Sequence, residues 1–295
     1  VQAVAIRYSD PAQRFSQAAQ FLGDTTLLQS VWRILSARQG MPDPKLDLPT
    51  DRPRPPVQTF HGAALNLRVP DQLAAGLRAL ARHEGATLFM VLLAGFQVLL
   101  ARWSGQRDVL VGSPIAGRTR PELEDLIGCF VNTLVLRADL SGSPSFRQLL
   151  GRVRETTLGA YAHQDLPFEY LVEALQPARD LRYSPVVQVM FALQNTPLPR
   201  FDMPEVLFEP AALPVTSATN DLVLTLGEAD AGLAGTFEYN TDLFDAATIA
   251  ALAEHYLTLL AAIVAQPDQP VALLPLLGPD ARAAQLADWN ATQAP

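Results

Sequence analysis

From Gly62 onward, apolar residues in this chain alternate between strand-like and helix-like periods. Ala64/Leu65, Leu67 and Val69 recur with the period of two that marks a half-buried strand, so Gly62 to Val69 reads as a strand. Leu73, Leu77, Leu80 and Ala81 share one helical face and predict a helix over Asp71 to Glu84, stopped by Gly85. A second helix starts after Thr87 and runs to about Trp103. Its apolar run from Leu88 to Ala101 is broken by Gln97 and falls short of the roughly 18 to 20 residues that cross a bilayer, so it reads as a core helix. Val109 to Ile115 and Val131 to Leu140 predict two strands, the second ended by Ser141-Gly142. Pro144 opens a helix that turns Phe146, Leu149, Leu150, Val153 and Thr157 inward, and a further helix starts at Pro167. Val186 to Leu193 reads as a central strand, and Leu222 to Leu226 with Leu233 to Tyr239 as a hairpin around Asp230-Ala231-Gly232. A last helix, capped by Asp245, presents Ile249, Leu252, Tyr256, Leu259, Leu260 and Ile263 and ends before Pro267.

Upstream the pattern is weaker. Residues 1 to 40 show little periodicity, and Gly40 to Pro56 holds six prolines, which remove donors and fix φ, so it reads as an extended connector. Strands interleaved with helices predict an α/β or α+β fold with one main mixed sheet flanked by helices. A hydrophobic content of 49% over 295 residues supports one large core or two modest ones. The net charge of −8, without any Lys/Arg cluster, argues against nucleic acid or an anionic membrane as partner and leaves small molecules and proteins. The single cysteine, Cys129, excludes an internal disulfide and fits a reducing cytoplasmic setting; lying in an apolar run, it reads as a buried thiol. Val1 in place of an initiator methionine, with no signal-peptide pattern, reads as a segment cut from a longer chain.

Candidate chemistry gathers at few places. His163-Gln164-Asp165 sits between two helices, where His163 could act as a base oriented by Asp165. Adjacent residues in an extended turn point apart, however, and no Ser or Cys nucleophile accompanies them. Polar side chains after a helix commonly satisfy its open carbonyls, so bracing is the stronger reading, with Asp165 also placed to cap the next helix. Arg118 directly follows a buried strand, where a guanidinium either needs a carboxylate or points to water with Arg120 and Glu122. Asn132 in a buried strand must find a partner, most simply the backbone, and Asn195 after the Val186 to Gln194 strand is similar. Glycine-rich phosphate loops and metal-spaced His/Cys pairs are absent from the sequence.

Three segments change the weighting. Ile127-Gly128-Cys129-Phe130-Val131-Asn132-Thr133-Leu134, Leu158-Gly159-Ala160-Tyr161-Ala162-His163-Gln164-Asp165-Leu166-Pro167-Phe168-Glu169 and Arg179-Asp180-Leu181-Arg182-Tyr183-Ser184-Pro185 resemble consecutive signatures of nonribosomal peptide synthetase condensation domains, and Leu233 to Phe244 extends the likeness. The family's catalytic HHxxxDG motif is missing: none of the four histidines has a histidine neighbour. Condensation domains resemble chloramphenicol acetyltransferase, with two lobes in a V around a tunnel for the phosphopantetheine arms of two carrier proteins. The resemblance implies the C-terminal lobe, over residues 46 to 285. Residues 1 to 45 would be a degenerate inter-lobe helical connector, with Tyr8-Ser9-Asp10-Pro11-Ala12 in place of YxDYAxW. Residues 286 to 295, holding Trp289-Asn290-Ala291-Thr292, would start a linker to an adenylation domain, and Thr196 to Pro214, with five prolines, would be the crossover latch. The usual Phe-Asp-Leu is replaced by Asn220-Asp221-Leu222.

The function so implied is support of amide bond formation between carrier-bound donor acyl or peptidyl and acceptor aminoacyl thioesters. Arg118 would pair with the aspartate of HHxxxDG, which lies outside this chain; Asn132, His163, Gln164, Asp165 and Asn195 would wall or support the site. No catalytic residue, metal or cofactor of its own is expected, the phosphopantetheine arms being substrates. Expected partners are the N-terminal lobe, peptidyl carrier proteins and an adenylation domain, with no nucleic acid and no membrane. Two alternatives stay open: a non-catalytic docking or scaffold lobe, and an epimerisation domain, which the form of Ile127 to Thr133 disfavours.

Overall fold

The computed structural model describes residues 45–118, 121–124, 126–175, 180–194, 214–229 and 232–288. Asn195, almost all of the connector expected over residues 1–45 and almost all of the expected latch therefore lie outside the described residues. One six-stranded mixed sheet organises the rest, in the order β1-β6-β5-β4-β2-β3. Its strands are β1 (Gly62–Val69), β2 (Asp108–Ile115), β3 (Asn132–Asp139), β4 (Val189–Gln194), β5 (Leu222–Ala229) and β6 (Gly232–Asn240). β2, β4 and β5 run parallel and the other neighbours antiparallel, so the expected mixed sheet and α/β class are observed. The hairpin closes with Ala229 opposite Gly232, at φ +92°.

The helices are α1 (Asp71–His83), α2 (Leu88–Ser104), α3 (Phe146–Ala162), α4 (Phe168–Leu175), α5 (Ala246–Ala265) and α6 (Pro279–Asp288). α6 has no counterpart in the sequence pattern, and the linker boundary expected at 286 falls inside it. α2 is buried from Met90 through Ala101, which explains its unbroken apolar run: it packs against α1, α3, α5 and β2 and has no solvent face to pattern. Phe96 centres the aromatic core, with ring centroids 5.9 Å from Phe191, 6.2 Å from Phe237 and 6.0 Å from Tyr256. The Tyr256 hydroxyl donates to the Leu92 carbonyl at 3.0 Å, so even this fully buried polar atom is paired. By length and composition α5 could cross a membrane, but Ile249, Leu252, Tyr256, Leu259, Leu260 and Ile263 are packed into the core. A second, small cluster of Leu110, Val186 and Val187 lies apart from the main core, with Phe168 and Val172 of α4 packed on it.

Helix starts follow capping chemistry more closely than the sequence pattern indicates. Ser145 and Gln148 form a reciprocal capping box, so α3 starts at Phe146 and Pro144 precedes it. Asp245 occupies the cap position of α5 but its carboxylate is drawn to Arg52; Asp51 accepts instead from the Asp245 N–H at 2.7 Å and the Thr248 hydroxyl at 2.8 Å. β4 begins at Val189 and not at Val186, because Val186 takes φ +64°, a region disfavoured for a β-branched residue, and the Val187 N–H folds back to the Pro185 carbonyl at 2.7 Å.

The described part of the expected connector, Lys45 to Pro56, forms neither helix nor strand, as expected, and the chain from Lys45 to His61 is stitched along the edge where β2, β4 and β5 begin. Leu46 N–H donates to Gln188 at 3.0 Å, Asp47 N–H to Gln106 at 2.7 Å and Gln58 N–H to the Leu181 carbonyl at 2.7 Å. Arg54 grips Asp221, just before β5, through two parallel bonds of 2.9 and 2.5 Å while its guanidinium lies 4.1 Å from the centre of the Tyr183 ring. Burial works against the Arg54 charge, yet the hydrogen bond and charge of Asp221 outweigh it and raise its pKa. The side chains of this pair are only 13% and 4% exposed. Breaking it leaves one charge without a partner in a nearly closed site, so Asp221→Ala should lower unfolding free energy by about 3–5 kcal/mol. Urea titration of the chain measures this; a loss below about 1 kcal/mol would reduce the pair to a surface contact.

Candidate functional site

The carboxyl ends of the parallel strands are where open α/β sheets place their ligands, and two of the three sequence signatures meet at this edge. β2 ends at Ile115, paired with Asn132 at the start of β3, and β3 is the last strand of the sheet. α3 packs on β3 from the main-core side. The chain then turns through residues 163–167 and enters α4, which belongs to the second cluster. The turn thus carries the chain around the sheet edge, and something must hold it there.

Asn132 does so. Its Nδ2 donates to the carbonyls of Gln164 at 2.9 Å and Leu166 at 2.7 Å, while Oδ1 accepts from the Thr133 N–H at 2.9 Å and the Phe168 N–H at 3.0 Å. An amide has two donors and two acceptor lone pairs, and all are used. The Phe168 bond satisfies an open donor at the start of α4, the task the sequence assigned to Asp165. Asp165 is exposed and has no side-chain hydrogen bond among the described residues. Gln164 contributes its carbonyl to the bracket rather than its side chain. His163 follows α3 with its N–H on the Ala160 carbonyl at 3.1 Å, so the backbone closes the helix and the ring does not. The ring's Nδ1 is buried without a hydrogen-bond partner. The side-chain bracing expected of His163 and Asp165 is thus performed by Asn132 and the backbone; the expectation that Asn132 pairs with backbone is met fourfold.

Arg118 leaves the end of β2 beside this bracket, half-buried, and among the described residues it turns to backbone carbonyls and not to a carboxylate. Its Nη1 donates to the carbonyls of Leu123 and Glu124, its Nη2 to those of Leu126 at 2.8 Å and Gly128 at 3.3 Å, and its plane lies 4.5 Å from the centre of the Phe130 ring. Nε is its one nitrogen without a hydrogen-bond partner among the described residues. Cys129, expected to be buried, is exposed: the apolar run around it is a surface loop, not a strand, until Asn132. The described residues hold no group of three or more His, Cys, Asp or Glu able to bind a metal.

The third signature lies at the opposite edge. Asp180 binds Lys45 at 3.2 Å and Arg182 at 2.8 Å, and these bonds, Arg182 foremost, hold its carboxyl well below the usual carboxylate range. Tyr183 receives Arg54 and Lys45 over its ring, and the Ser184 hydroxyl accepts from Gln58. This segment buckles the connector to the sheet, a role sequence reasoning missed because Arg54 and Asp221 lie far apart in the chain. One aspartate and two arginines just ahead of Tyr183 were the available signal.

The family model described as Condensation domain matches residues 25–286. A linear gramicidin synthase of Brevibacillus parabrevis is 54% identical over 261 residues, covering 88% of this chain and 3% of the relative. Phosphinothricin tripeptide synthetase PhsB of Streptomyces viridochromogenes is 45% identical over 290 residues, 97% of this chain and 24% of the relative. Among solved structures, the four-domain nonribosomal peptide synthetase holo-AB3403 bound to AMP and glycine matches with TM-score 0.77 and 29% identity over 87% of this chain and 20% of that one. The X-domain in its complex with OxyB from teicoplanin biosynthesis matches with TM-score 0.78 and 26% identity over 89% and 58%. The chain thus spans a small fraction of the curated relatives and over half of the X-domain chain.

The saturated amide makes a sharp prediction. Asn132→Asp replaces two donors with a carboxylate oxygen facing two carbonyls and should destabilise the chain by about 2–4 kcal/mol at neutral pH. Those carbonyls favour the protonated acid, so the penalty belongs to the charged form and the gap to wild type should narrow as pH falls. Denaturant titrations across pH 4 to 8, about the range over which a carboxyl with raised pKa titrates, test this; equal stability of variant and wild type at neutral pH would contradict it.

Proposed function

Because this chain belongs to the condensation-domain family of nonribosomal peptide synthetases, we propose that it is the C-terminal lobe of such a domain. It supports attack of an acceptor aminoacyl amine on a donor acyl or peptidyl thioester. In that reaction the C–N bond forms, the C–S bond breaks, and the amine's proton balances the departing thiolate. The observation that carries this reading is the Asn132 bracket, which joins two condensation signatures into one rigid edge without building a nucleophile or a paired histidine there. Such an edge can wall and orient; the proton-handling group comes from elsewhere.

In this reading Asn132 and the turn from His163 to Asp165 form the wall, and Asn195, outside the described residues, supports it. Arg118 keeps Nε for an acid supplied from outside the chain. The substrates are the phosphopantetheine arms of peptidyl carrier proteins, and the lobe works in the cytoplasm with an N-terminal lobe and a downstream adenylation domain, the linker starting near residue 286. No nucleic acid or membrane takes part. A second reading, a docking lobe without chemistry, draws on the likeness to the X-domain, whose solved structure is a complex with OxyB.

The chain alone should show no amide formation above the uncatalysed thioester background when given loaded donor and acceptor carrier proteins. A single-turnover assay following amide product measures this. Turnover by the isolated chain would mean that one of its own four histidines performs the chemistry.

A further inference from the structure

The crossover from β2 to β3 is organised by two adjacent residues. Gly117 takes φ +65°, and a Cβ there would lie 2.0 Å from the Phe130 carbonyl oxygen, so the returning end of the crossover passes directly against its backbone. Arg118 then places its guanidinium among the carbonyls of Leu123, Glu124, Leu126 and Gly128 and over the Phe130 ring. Outside this grip the described residues of the segment have little to hold them. Two local turn bonds, Glu124 N–H to Pro121 and Leu126 N–H to Leu123, are its own, and none of its apolar side chains joins either core cluster. Leu126, Ile127 and Val131 point outward, Ile127 being fully exposed.

The geometry points to Arg118 as the positioning residue of this crossover, acting on backbone carbonyls and not through its charge alone. Four carbonyls converge on one cation, and that convergence turns Leu126, Ile127 and Val131 away from the core. The planar fork is essential to this. An ammonium is a compact point charge with three donors, unable to reach carbonyls from two separate nitrogens of one flat edge or to stack on Phe130. The crossover keeps this shape whether or not the chain supports amide formation.

The chain's one cysteine is already placed to report on it, since Cys129 is exposed within the crossover. A nitroxide attached there should be restrained in the wild-type chain, and in both Arg118→Ala and Arg118→Lys its rotational correlation time should shorten by a factor of about three or more, toward free-loop motion. Gly117→Ala, which displaces the Phe130 carbonyl with Arg118 intact, should mobilise the label in the same way. If Arg118→Ala fails to fold, the other two variants carry the test. A wild-type-like spectrum for Arg118→Lys would show that charge alone suffices and overturn the inference, as would an unchanged spectrum for Arg118→Ala.

Discussion

The carboxyl edge of this sheet depends on one side-chain amide. A chain that crosses from one face of a sheet to the other around its last strand loses the ladder at that point, and its turn carbonyls and the first N–H groups of the next helix have no partners of their own. Asn132 supplies both kinds of partner at once, donating to Gln164 and Leu166 and accepting from Phe168. No other residue type of that size has two donors and two acceptors on one rigid plane. Two sequence segments more than thirty residues apart thereby become one unit, and the placement of α4 on the second cluster follows from it.

The opposite edge is held by a different chemistry. There the extended connector has no regular hydrogen bonding of its own, and charge-assisted bonds fasten it: Arg54 to Asp221, Lys45 to Asp180, Arg52 to Asp245. Only the first is closed off from water, so the stability of that edge concentrates in one pair. The sheet therefore separates its duties. The amino edge fastens the chain, and the carboxyl edge carries the two signature segments that Asn132 joins.

Much of the architecture was legible because periodicity reports burial, and burial is what the sheet and helices share. α1, α3 and α5 show one apolar face, and α2, surrounded on all sides, shows a run. What escaped were features set by distant partners. Asp51 capping α5, Asn132 capping α4 and Arg54 closing on Asp221 each join residues far apart in sequence, and no local pattern encodes them. Val186 reads as strand from its apolar character, while its φ is imposed by the turn after Pro185. Cys129 departs from expectation for a related reason: apolar neighbours indicate burial only where something packs on them, and here they face outward. At the carboxyl edge Asn132 is a signature residue, while the backbone carbonyls it binds carry no sequence signal.

Native-state amide hydrogen exchange at Phe168 tests the bracket most directly, because among the described residues that N–H has its partner only in Asn132. If Asn132 holds the edge, this amide exchanges on the timescale of the neighbouring β3 amides, opening only when the sheet edge opens. Exchange at the rate of an unprotected turn amide, with β3 still protected, would contradict it.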